Sequence, residues 1–252
     1  MSETETQGPA WLVLPTYNEA GNIEQLVRKA VENLPADARV LVVDDNSPDG
    51  TGEIAERLAA ELPVEVLHRA GKEGLASAYV AGFKHVLGRG AGLVLQMDSD
   101  FSHDPADLRR LVEASEQADV VLGSRYVAGG GVRDWSLVRR AISRGGSTYA
   151  RMVLGIEVRD LTGGFKCFRR DVLEALDLDR ISSQGYAFQV EMTYRSLQRG
   201  FKVVEIPIVF RDRQVGKSKM SRMIVLEAAW RVPLLRFTQQ RLDRAGSVST
   251  TA

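Results

Sequence analysis

Five short apolar runs, each closing on polar residues and giving way to a helical pattern, constrain this chain more than any other feature. WLVLP (11–15), RVLVVDD (39–45), VEVLH (64–68), GLVLQMD (92–98) and ADVVLGS (118–124) read as strands. Helical patterns over about 20–33, 51–62, 74–87 and 105–117 separate them. Strands that are apolar on both faces and alternate with helices predict a mostly parallel sheet covered on both sides, an α/β fold. Ligands in such sheets bind at the carboxyl ends of strands. Polar clusters at 16–19, 44–49, 98–104 and 124–126 therefore nominate one site.

Beyond residue 132 the pattern changes. A helix is predicted over 135–154, LTGGFKCFRR (161–170) as a loop entering a strand, a helix over 185–199 and KVVEIPIVF (202–210) as one strand. Residues 219–242 read as an amphipathic helix or helix pair kinked at Pro233. Residues 1–8 and 245–252 read as disordered tails.

Composition narrows the function classes. Cys167 is the single cysteine, which excludes an intrachain disulfide and a Cys-rich zinc site. Net charge is zero overall, yet it is −10 over residues 1–132 and +10 over 133–252. The second half is thus suited to an anionic partner, although solvated charge clusters give the same count. The start, MSETETQGPA, lacks the basic end and apolar run of a signal peptide. No apolar stretch has the 18 or so uncharged residues of a membrane span. A dehydrogenase is disfavoured by the missing GxGxxG turn after the first strand.

Asp98 and Asp100 flank Ser99 at the end of an apolar strand, and Ser102 follows closely. Carboxylates so spaced can hold a hard divalent cation such as Mg²⁺ or Mn²⁺, though they also serve as turn caps. Asp44 and Asp45 form a second pair. The helix that follows does not need both, which leaves Asp45 able to accept from a base or ribose. Tyr17 could stack on a nucleobase and Glu19 hydrogen-bond it, or Glu19 could be a helix N-terminal charge. Arg139 and Ser143 are one helical turn apart and share a face, in the half of the chain suited to an anionic partner. A solvated basic face with Arg140 and Arg144 is the alternative. Neighbouring Leu137, Ile142, Met152, Val153 and Leu154 also suit a membrane surface.

PTYNE (15–19), VVDDNSPDGT (42–51), MDSDFSHDP (97–105), GSRYV (123–127) and LTGGFK (161–166), in this order and spacing, resemble glycosyltransferase family 2 with its GT-A fold. WSLVRRAISRGG (135–146) and DRQVGKSKM (212–220) are similar, more narrowly, to polyprenol (dolichol) phosphate mannose synthases without transmembrane helices. The resemblance implies a catalytic unit over 9–218 and an amphipathic segment over 219–244. It implies inverting transfer of mannose from GDP-mannose to a polyprenyl monophosphate, giving a lipid-linked mannose donor. Pro15, Tyr17, Glu19, Val43 and Asp45 would hold the nucleoside. Asp98, Ser99 and Asp100 would hold metal and diphosphate, with Asp100 the direct ligand and Ser102 a further contact. Arg125, Arg213 and Lys219 would neutralise the diphosphate. Arg139 and Ser143, with Arg125, would bind the acceptor phosphate. Peripheral contact with the cytoplasmic membrane face, with or without an anchoring protein, is implied, and no nucleic acid. A UDP-glucose enzyme on the same fold and a noncatalytic nucleotide- or lipid-binding module are the competing readings.

Overall fold

A computed structural model describes residues 8–181, 183, 185–211, 230 and 232–237. Among them, strands β1 (Ala10–Thr16), β2 (Arg39–Asp44), β3 (Val64–His68), β4 (Leu93–Gln96) and β5 (Val120–Ser124) match the five apolar runs to within a few residues at their ends. The small strand β6 (Gly131–Val132) follows, then β7 (Lys166–Arg169), β8 (Val203–Pro207) and β9 (Val209–Phe210). The main sheet runs β3-β2-β1-β4-β7-β5-β8 and is parallel except for β7, which pairs antiparallel with both β4 and β5. β6 and β9 form a two-stranded sheet beside it.

The doubly apolar strands are explained by two cores. Trp11, Val13, Leu41 and Val43 face one side, with Phe83, Phe168 and Phe188. Leu12, Leu14, Val40 and Val42 face the other, with Leu26, Leu58 and Leu111. Each such side chain contributes about 1.5–3 kcal/mol on burial. Helices α1 (Ile23–Asn33) and α2 (Thr51–Ala59), with α4 (Leu108–Ala114), supply the second core, and α3 (Leu75–Gly88) the first. Gly82 lets α3 approach the sheet: a Cβ there would lie 2.5 Å from Val13 Cγ1 and 3.0 Å from Val43 Cγ2.

Helix α5 (Leu137–Leu154) starts at Ser136, whose Oγ accepts from the Arg139 N–H, and stops at Gly155 in the left-handed region. α6 (Arg170–Ala175), absent from the sequence reading, follows β7, and α7 (Gly185–Gln198) completes the set. Residues 105–107 form a 3₁₀ turn ahead of α4, where one continuous helix to 117 was predicted. KVVEIPIVF is two strands. Pro207 ends β8, the Ile208 N–H donates to Ser124 O, and β9 then joins β6. Residues 230 and 232–237 are helical, with Val232 and Leu235 on the first core. The remainder of the 219–242 helix, the 218/219 boundary and residues 1–7 and 245–252 lie outside the described residues.

Candidate active site

Three strand ends turn through left-handed residues other than glycine: Asn18 (φ 61°) after β1, Asn46 (φ 57°) after β2 and Phe101 (φ 60°) after Asp100. Such conformations cost of the order of 1–3 kcal/mol each and persist where surrounding bonds over-determine them. Here the bonds are visible. The Asn18 N–H donates to Ser47 Oγ, Glu19 N–H to Thr51 Oγ1 and Ala20 N–H to Asp49 Oδ2. Asp49 also accepts from the Thr51 N–H and Oγ1, and against the desolvation of burial its hydrogen bonds from Thr51 and Ala20 hold its carboxyl below the ordinary range. Asp44 closes the turn after β2 by accepting from Thr16 Oγ1, Ser47 N–H and Ser47 Oγ. Ser99 Oγ donates to Pro15 O, tying the Asp98–Asp100 turn to β1.

These turns surround a cavity of about 290 Å³. Pro15, Tyr17, Glu19 and Asp45 line one end, with Lys72 poised 4.0 Å over the Tyr17 ring. Burial raises the Asp45 carboxyl, and Arg69, which donates to Asp45 Oδ1, opposes that rise. Arg69 also donates to Glu73 and Ser77. Asp98, Ser99, Asp100 and Ser102 line the middle. Asp98 accepts from Tyr79 Oη at 3.3 Å, and Asp100 Oδ1 from the Ser102 N–H at 3.0 Å. Ser102 Oγ is buried with no hydrogen-bond partner among the described residues. Carboxylate and hydroxyl oxygens, one of them orphaned, fit a hard divalent cation.

His103 sits beside them with Nε2 3.8 Å from Asp98 Oδ2, beyond hydrogen-bond reach, and stacks on Phe165. Burial pushes its imidazole down to about 4, so it is neutral at physiological pH.

Arg125, Trp135 and Arg139 line the far end. Arg125 is buried and forked onto Asp160: Nε to Oδ2 at 2.7 Å and Nη2 to Oδ1 at 2.6 Å, with a third bond from its own N–H. Burial disfavours both charges, yet the pair wins. Asp160 is held below the usual carboxylate range, and the Arg125 guanidinium above its own. Arg139 lies with its guanidinium carbon 4.2 Å from the Trp135 ring centroid.

The other expected residues fall in different places. The Val43 side chain lies within β2 and packs in the core against α3, whereas Asp45 lies just past the strand's end and lines the cavity. Arg125 lines the cavity with its guanidinium paired to Asp160. Ser143 accepts from Tyr126 Oη at 2.7 Å and does not line the cavity. Residues 126–132 end in β6, and a Cβ on Gly130 would lie 2.5 Å from Ser124 O. Arg213 and Lys219 lie outside the described residues. Sequence reasoning missed Arg69, Lys72, Asp160 and Gln189 as contributors. Only Asp160, just ahead of the LTGGFK run, carried a local hint.

The profile of the family described as Glycosyl transferase family 2 matches residues 11–177. Polyprenol monophosphomannose synthase of Mycolicibacterium smegmatis is 45% identical over 240 residues, 94% of this chain and 90% of that one. Undecaprenyl-phosphate mannosyltransferase of Micrococcus luteus is 48% identical over 217 residues, 86% of this chain and 89% of that one. Among solved structures, glucosyl-3-phosphoglycerate synthase from Mycobacterium tuberculosis in complex with Mn²⁺, UDP and glucosyl-3-phosphoglycerate superimposes with a TM-score of 0.69 at 17% identity. That match covers 94% of this chain and 84% of that one, and at such identity it speaks to the fold, a GT-A fold. By the profile match and the two relatives, this chain belongs to glycosyltransferase family 2.

Proposed function

We propose that this chain moves mannose from GDP-mannose to a polyprenyl monophosphate at the cytoplasmic face of a membrane, with inversion at the anomeric carbon. One observation carries the reading. A single cavity runs from Tyr17 and Asp45, suited to a nucleoside, past two carboxylates to Arg139 on a helix whose outer side is basic and apolar. The names of the two relatives support the sugar and the lipid class.

The acceptor supplies its own nucleophile. A phosphate monoester has a second pKa of about 6 and is largely dianionic near neutral pH, so no strong protein base is needed. Its oxygen attacks the anomeric carbon as the bond to GDP breaks and the electron pair leaves with the diphosphate. Asp98, Asp100 and Ser102 would hold Mg²⁺ or Mn²⁺, which when bound offsets charge growing on the leaving diphosphate. Arg139 orients the acceptor phosphate. The Arg125–Asp160 pair fixes the wall between them, and Arg125 Nη2 also donates to Thr162 Oγ1 at 2.8 Å.

Among the described residues no helix is long and apolar enough to cross a membrane. The lipid is reached from the surface instead. Leu137 (80% exposed), Val138, Ile142 and Met152 on α5 are exposed, as are Trp230 (72% exposed), Leu234 and Phe237, and α5 also exposes Arg140 and Arg144. The two helical segments touch, since Arg236 Nη1 donates to Val153 O. Apolar and aromatic side chains among arginines suit an anionic lipid interface.

The test is transfer of labelled mannose from GDP-mannose to a short polyprenyl phosphate, with Mg²⁺, with Mn²⁺ and with chelator. Metal-dependent labelled lipid, abolished in Asp100→Ala, is the expected result. Product from UDP-glucose alone would replace the donor, and no product with any donor would leave a binding module.

A further inference from the structure

Behind the cavity wall lies a buried polar cluster that the mechanism does not use. Gln96 on β4 donates through Nε2 to Gly164 O at 3.0 Å and to Gln189 Oε1 at 2.8 Å. Lys166 on β7 is fully buried and donates through Nζ to Gln189 O at 2.7 Å and to Thr193 Oγ1 at 2.9 Å. Gln189, on the first turns of α7, is held by both its backbone and its side chain. It is 3% exposed and lines the cavity with Gly164, Tyr186 and Asp98. The orientation of its amide is set by its neighbour. Turning it over would face its NH₂ onto the Gln96 NH₂, which Gly164 O already fixes. Gln189 Nε2 is thereby left buried without a hydrogen-bond partner among the described residues. An orphaned donor inside a pinned network is a costly arrangement unless something arrives to accept from it.

The position says what arrives. The nucleoside end is at Tyr17 and Asp45, and the acceptor arginine is at the far end of the same cavity. Gln189 neighbours Gly164, where a Cβ would lie 3.4 Å from the Asp98 carboxylate, at the point between those ends. A neutral amide donor suits a neutral oxygen there. Resting on the mannosyl-transfer reading, we propose that Gln189 is a specificity-determining residue for the transferred sugar, its Nε2 donating to one ring hydroxyl of the donor hexose. Gln96 and Lys166 are positioning residues that hold it.

The experiment uses GDP-mannose and its 2-, 3-, 4- and 6-deoxy analogues as donors, with the intact chain and its Gln189→Met and Gln189→Glu variants. Sites built to hydrogen-bond a hydroxyl discriminate steeply against analogues that lack it. The intact enzyme is expected to use one deoxy donor at least about 100-fold less well in kcat/KM than GDP-mannose. Both variants should lose about 10–100-fold on GDP-mannose and accept that deoxy donor within about 3-fold of it, while GDP affinity by calorimetry stays within about 3-fold. Gln189→Glu keeps an oxygen that accepts from Gln96 and exchanges the amide donor for a carboxylate oxygen. Retention of the original discrimination in both variants would overturn the proposal. So would an intact enzyme that uses all four deoxy donors as well as GDP-mannose, a result needing no variant to fold. If the intact enzyme transfers from UDP-glucose and not GDP-mannose, the donor reading fails, and deoxy analogues of that donor test Gln189 by the same criteria.

Discussion

Asp160→Asn should destabilise this protein severely while barely altering its shape. The Asp160 side chain is 0% and that of Arg125 4% exposed, and three hydrogen bonds join them. Removing one partner of such a pair leaves a buried uncompensated charge, at a cost of about 3–5 kcal/mol. With a urea dependence of about 2 kcal/mol per molar, the unfolding midpoint should fall by roughly 1.5–2.5 M. Urea titrations of Asp160→Asn, Arg125→Met and the Arg125→Met/Asp160→Leu double variant measure this, with tryptophan fluorescence as the signal. The double variant should be more stable than either single one, because both charges leave together. The pH dependence has a fixed sign. The folded-state carboxyl of Asp160 lies below its unfolded value of about 4, so its contribution is complete above that pH. It is lost as pH falls through the folded value, and the gap between wild type and Asp160→Asn should narrow in acid. A midpoint shift under about 0.5 M, or strictly additive single variants, would refute this account of the pair.

Lys166 titrates the other way in charge but with the same slope. Burial pushes it down to about 7, against about 10.4 unfolded, so between these values the unfolded chain binds more protons and stability should rise with pH. Midpoints of wild type and Lys166→Met at several pH values check this, and parallel curves would contradict it. Arg139→Ala should raise the acceptor KM about 10-fold or more with GDP affinity unchanged by calorimetry; a collapse of GDP binding would reassign that arginine. Val138→Glu/Met152→Glu should cut co-sedimentation with anionic vesicles several-fold, and undiminished binding would remove α5 from the lipid interface.

The parallel strands could be read in the sequence because burial on both faces writes a continuous apolar run, and the Asp98–Asp100 turn because its polar residues are adjacent in the chain. What escaped has nonlocal causes. Strand direction leaves no mark on composition, so KCFR gave no sign that β7 runs against its neighbours. Asp160 and Arg125 are 35 residues apart, and neither flank names the other. Arg69 reaches Asp45 across 24 residues, and Lys166 reads in LTGGFK as an ordinary surface lysine until Gln189 and Thr193 enclose it. Val43 and Asp45 are two residues apart, but β2 ends between them, so the first packs under α3 and the second faces the cavity.

β7 lies between β4 and β5 in space yet follows both in the chain. During synthesis the ribosome must therefore deliver residues 166–169 before the two halves of the sheet can be joined. Until then β4 and β5 each present a bare ladder of amide and carbonyl groups, the kind of edge that recruits other chains. Pairings such as Val94 with Phe168 span more than 70 residues, which places the fold among slow, late-closing topologies. A nascent or truncated chain ending before Lys166 has a core it cannot close, so the same strand that brings Gly163 and Gly164 to the cavity makes assembly of this protein all-or-none.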